Sequence, residues 1–219
     1  MRRSILLGCL GIALLAAPAR ADNPPANQQR TVKFTDPGQV TAFGYYVGTY
    51  RGVLVSEPGT PTLDLYCVDF LHEVSMNQQW TANFSNLAGD LSDTRGGNLL
   101  RSRYQMAAWL TTQYPGQSNT TTGNIQGTVW NLFTNTGLSL SDGGFWLAEA
   151  QNHYLTDGLD YGTFNVVTDV NKLDPRSAQE FLTTTTVTPP PTVTPEPATL
   201  LLLGSGMLGV MLVGWKRQG

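Results

Sequence analysis

The sequence predicts an α+β fold: a small antiparallel sheet or sandwich with a helical insertion, plus a C-terminal transmembrane helix. Three observations predict the folded part. Segments 31–35, 44–55 and 63–70 are rich in β-branched and aromatic residues and lie between Gly and Pro, so they look like strands. Segments 99–113 and 125–133 carry apolar residues at helical spacing. A further strand-like stretch stands at 164–170. Strands, helices and strand thus come in blocks, which argues against a parallel α/β sheet.

The elements follow in order. In 63–70, Leu63, Leu65 and Cys67 alternate onto one face, and Asp64, Tyr66 and Val68 onto the other. In 99–113, Leu100, Tyr104, Ala107 and Ala108 mark one helical stripe, and Pro115 ends the run. Ile125, Val129, Leu132 and Phe133 mark a second helix from 125. Asp142 suits the cap of a third helix over about 144–155.

The two ends carry targeting signals. Arg2 and Arg3 precede an apolar stretch, 5–17, and Ala19-Arg20-Ala21 fits a cleavage site. Residues 1–21 are therefore expected to be a signal peptide. A body at 31–182 is followed by a Thr- and Pro-rich linker at 183–194, whose prolines favour an extended stalk. Pro195, Glu196 and Pro197 come next, then an uncharged run at 198–215. At about 1.5 Å per residue that run reaches roughly 27 Å, enough for a bilayer core. Lys216 and Arg217 suit the cytoplasmic end of the anchor.

This order, with Leu200-Leu201-Leu202-Leu203-Gly204-Ser205-Gly206, resembles the PEP-CTERM sorting tail over residues 195–219. The resemblance implies an exosortase-like membrane protease as partner, acting at the Pro195-Glu196-Pro197 sorting motif. It also implies a single-pass inner-membrane precursor with its body in the periplasm or outside the cell. Processing would release the body to the cell surface, near exopolysaccharide.

Composition excludes several functions. Between the expected start at Asp22 and Thr194 the chain has 8 Lys and Arg against 15 Asp and Glu, a net of −7, which disfavours nucleic acid. There is no Gly-x-Ser-x-Gly elbow, phosphate loop or dinucleotide fingerprint. No enzyme activity, catalytic residue or cofactor is expected. Asp69, His72 and Glu73 follow Cys67, but their spacing fits no familiar metal motif, and strand alternation would part Asp69 from His72. No metal site is expected. Asp90 and Asp93 read as a solvated turn, and His153 as a surface residue.

Signal cleavage would remove Cys9 and leave Cys67 as the only cysteine. A lone thiol in an oxidising compartment is buried and inert, paired between chains, or chemically used. Its setting is Tyr66-Cys67-Val68-Asp69-Phe70, and later comes Ile125-Gln126-Gly127-Thr128-Val129-Trp130. Together these resemble the thioester domains of bacterial surface adhesins, with Ile125 and Thr128 where the adhesin pattern has Thr and Ala. The resemblance implies a bond between Cys67 and the Gln126 carboxamide that opens on amine-bearing targets. Tyr66 and Trp130 would form its shielding environment. Gln105, in Tyr104-Gln105-Met106-Ala107-Ala108-Trp109, is the alternative glutamine. Gln126 is preferred because a helix starting at 125 would put it in the first turn, where the helix dipole favours an oxyanion. Two functions stay open: covalent attachment to amine-bearing targets, or a non-reactive structural protein of the biofilm and exopolysaccharide matrix.

Overall fold

The computed structural model describes residues 28–55 and 57–184. The expected signal peptide, most of the stalk, the sorting tripeptide and the apolar run 198–215 lie outside the described residues. No described helix is long and apolar enough to cross a membrane.

Six strands close into an antiparallel barrel: β1 (Gln28–Asp36), β4 (Thr49–Leu54), β5 (Thr62–Cys67), β6 (Gln79–Asn86), β7 (Phe164–Asp169) and β8 (Phe181–Thr184). The order around the barrel is β1-β4-β5-β8-β7-β6, with β6 returning to β1. The expected small antiparallel sheet or sandwich with a helical insertion takes the form of a closed antiparallel barrel, with three helices inserted between β6 and β7. Closure leaves these strands without free edges.

Alternation explains which side chains fill the barrel. Val32 and Phe34, Leu63 and Leu65, and Trp80 and Phe84 are buried at every second position. Phe181 sits among Phe34, Tyr50 and Trp80, with ring centroids 6.1–6.4 Å away. Gly52 lets β4 pass close to its neighbours. A Cβ there would lie 2.9 Å from Leu65 Cδ1 and 3.1 Å from the Lys33 carbonyl oxygen.

Several boundaries differ from the sequence reading. Segment 44–55 splits into β3 (Tyr45–Tyr46), which forms a hairpin with β2 (Thr41–Ala42) just before it, and then β4. Phe43 and Gly44 turn this hairpin with φ of 57° and 83°. Segment 63–70 ends as a strand at Cys67, because the Asp69 carboxylate accepts the Leu71 N–H at 3.0 Å and turns the chain. β6 lies outside the expected strands, although Trp80, Ala82 and Phe84 alternate with polar residues. β8 takes in Thr183 and Thr184, which composition assigns to the linker.

Of the helices α1 (Arg101–Thr111), α2 (Asn119–Phe133) and α3 (Phe145–His153), the first two pack on the outside of the barrel, and α3 packs on α1 and α2. Tyr104, Leu110, Ile125 and Val129 pack there with Val166 and Leu182. α2 starts six residues earlier than expected. Ser118 caps it by accepting the Thr121 N–H at 3.2 Å, and the polar run from Asn119 to Asn124 hides the helical period. Asp142 does support the start of α3, accepting from the Gly144 and Trp146 N–H groups. The hairpin β2–β3 rests on α2 at its small residues: a Cβ on Gly123 would lie 2.6 Å from Ala42 Cβ.

Candidate functional site

Cys67 ends β5 at one end of the barrel, and α2 crosses that end. Both Cys67 and Gln126 are fully buried. The Gln126 carboxamide is held at both atoms. Nε2 donates to the Cys67 carbonyl oxygen at 2.7 Å. Oε1 accepts from the Tyr114 hydroxyl at 2.9 Å and from the Gly48 N–H at 3.4 Å. The Cys67 thiol donates to the Asp69 carbonyl at 3.1 Å and receives the Trp130 indole N–H at 3.4 Å.

Gln126 is the eighth residue of α2, so the expected first-turn position is corrected. The helix dipole acts at the termini and does not reach it. Two donors replace it. Oε1 is the atom on which negative charge develops if sulfur attacks the carboxamide carbon, and Tyr114 and Gly48 already point at it. Neither donor was singled out in the sequence. Tyr114 stands beside the helix-ending Pro115. Gly48 is marked only by its φ of 92°, and a Cβ there would press on Thr122 Cγ2 at 3.1 Å.

Gln105 lies half-buried on α1, and no hydrogen bond joins it to Cys67 among the described residues. Tyr66 points away from the thiol, since alternation puts it on the outer face of β5. It stacks on Tyr114, centroids 5.9 Å apart, and so backs the hydroxyl that Gln126 accepts. Trp130 covers the sulfur itself, ringed by Phe70 at 5.1 Å and Tyr45 at 5.8 Å.

Burial pushes the Cys67 thiol up to about 12, against the lowering effect of the Trp130 and Asp69 hydrogen bonds. At neutral pH it is a thiol, so attack on Gln126 must pass its proton on as the bond forms. Sulfur would bond to the carboxamide carbon, the C–N bond would break, and the thiol proton would leave with nitrogen as ammonia. Lys172, one of two lysines in the described residues, is occupied by the carbonyls of Ser92 and Thr94 at 2.8 and 3.0 Å.

The turn after Cys67 is fixed by a polar cluster. Asp69 and His72, expected on different faces, meet at 2.7 Å, and Arg95 Nε reaches the same carboxylate oxygen at 3.0 Å. Arg95 also donates to Ser177 Oγ and the Ala178 carbonyl. Beside it, buried Glu180 accepts from the Arg95 N–H, Thr168 Oγ1 and Tyr104 OH at 2.8, 2.6 and 2.6 Å. A cavity of about 190 Å³ lies against this cluster.

Thr128 carries a buried hydroxyl with no hydrogen-bond partner among the described residues. Thr128→Ala removes that orphan and is expected to leave stability unchanged or raise it by about 1 kcal/mol, measured by denaturant unfolding.

No match to the chain is found among curated proteins or among solved structures. Residues 193–218 match the PEP-CTERM protein-sorting motif, and the chain therefore carries the C-terminal signal of a protein sorted by an exosortase system.

Proposed function

We propose that the chain is an exported, membrane-tethered surface protein whose barrel domain holds an internal thioester between Cys67 and Gln126. The bond captures amine-bearing targets by a single acyl transfer: the amine nitrogen bonds to the Gln126 carbonyl carbon, the C–S bond breaks, and the Cys67 thiol is restored. Each chain reacts once, so this is attachment and not enzymatic turnover. The observation that carries the reading is the Gln126 carboxamide, with two donors on its oxygen and its nitrogen on the Cys67 carbonyl.

A second reading is a non-reactive protein of the exopolysaccharide matrix. The thiol's complete burial favours it, because such a cysteine also packs as an inert core residue. Intact mass of the exported chain separates the two. The thioester form is lighter than its sequence by one ammonia and titrates no free thiol before an amine is added. A chain of full sequence mass with one titratable thiol after denaturation overturns the thioester reading.

A further inference from the structure

At the mouth of the barrel, against Trp130, lies a cavity of about 260 Å³. Its walls include Phe34, Tyr45, Tyr46, Tyr50 and Trp130, five aromatic residues from β1, β3, β4 and α2. Glu73 is the only charged residue in the lining. Its carboxylate is exposed and makes no hydrogen bond or ion pair among the described residues. Tyr45 and Tyr46 are 46% and 52% exposed, so the cavity opens to solvent beside the hairpin β2–β3.

We infer that this cavity is a docking site for an alkylammonium group, with Glu73 as its counter-ion. The inference rests on the thioester reading for its purpose and on the cavity's chemistry for its specificity. Aromatic faces attract a cation through their quadrupoles, and do so most strongly where water is partly excluded. An unpaired carboxylate at the rim supplies the opposite charge and a hydrogen-bond acceptor. An apolar occupant would strip water from Glu73 without replacing its hydrogen bonds. An anion would meet Glu73 and a body with a net charge of −7. A primary ammonium satisfies the rings and the carboxylate together, and its alkyl chain contacts Val74 and Met76.

The position adds a role. Trp130 is shared: its ring lines the cavity, and its indole N–H reaches Cys67 Sγ at 3.4 Å. An amine captured at the mouth is thereby one indole away from the candidate bond. Movement of that ring would admit the amine after it passes its proton to solvent at the open mouth.

The test uses the full exported chain carrying Cys67→Ala in a nonionic detergent, so that no covalent step can occur and binding is read alone. The indole N–H resonance of Trp130, assigned by its loss in Trp130→Phe, is followed during titration with n-butylammonium and, separately, with n-butanol. Saturable shifts with n-butylammonium that n-butanol does not reproduce support the site. Glu73→Gln is expected to weaken n-butylammonium about tenfold, the loss of one charge-assisted contact. Equal response to the two ligands, or unchanged affinity in Glu73→Gln, overturns the inference. The mass measurement on the unmodified chain judges the thioester separately, so either proposal can fail while the other stands.

Discussion

Methylamine is expected to add once to the exported chain, at Gln126, and to expose one free thiol at Cys67. In Cys67→Ala the adduct disappears, because no sulfur is available to activate the carboxamide, and the chain keeps its full calculated mass. The fold should survive this change with a loss of about 1–2 kcal/mol, since only a sulfur-sized space opens beside Trp130. Gln126→Ala also abolishes the adduct, but it unfolds more readily. It leaves the Tyr114 hydroxyl, the Gly48 N–H and the Cys67 carbonyl without their buried partner. Gln105→Ala should react normally, because that side chain has no bond to the Cys67 region. Mass spectrometry after amine treatment and thiol titration read all three variants. Adduct formation in Cys67→Ala would sink the mechanism.

Glu180→Ala is expected to cost the fold about 3 kcal/mol, or roughly 10 °C in Tm. Glu180 gathers donors from α1, from β7 and from the loop holding Arg95. Removing its carboxylate takes the partner from all three of these buried or part-buried donors. The same residue gives a pH signature. Burial raises the Glu180 carboxyl above the ordinary carboxylate range, against the lowering effect of its three donors. A carboxyl raised on folding binds its proton more tightly in the folded state. Its contribution is therefore complete below the unfolded carboxylate range and is lost as pH rises through the raised value. Thermal melts of the unmodified chain should show that decline, and Glu180→Gln should remove it. An unchanged pH profile in Glu180→Gln would show that other groups set the slope.

Local pattern carried part of this fold and part of its site. The alternation of Leu63, Leu65 and Cys67 was readable because a strand with one buried face imposes period two. Gln126 and Trp130 were readable as a pair because four residues bring side chains to one helical flank. The oxygen donors to Gln126 were not readable. Tyr114 and Gly48 are brought together only by the packing of α2 against the barrel end, and no spacing in the chain encodes that approach. The helix-dipole reason for choosing Gln126 gave way with the start of α2, because Asn119 to Asn124 form helix without an apolar stripe. Barrel closure was hidden for a similar reason. β8 contributes only Phe181 and Leu182 as apolar residues before the threonines, so its strand character comes from neighbours on both sides.

Those two neighbours give β8 a mechanical meaning. The strand pairs with β5 along Leu65 to Cys67 and with β7 along Phe164 to Val167, and it is the last described element before the sorting signal in sequence. A tether pulled from Thr184 would load β8 along its own axis, in shear, with both hydrogen-bond ladders sharing the force. An edge strand pulled from its end would instead peel one bond at a time. Under the proposed function, in which the chain fastens to a target while anchored behind, the attachment is only as strong as its weakest link under flow. In this barrel the strand that precedes the sorting signal is clasped from both sides, and one of the clasping strands is the strand that ends in Cys67.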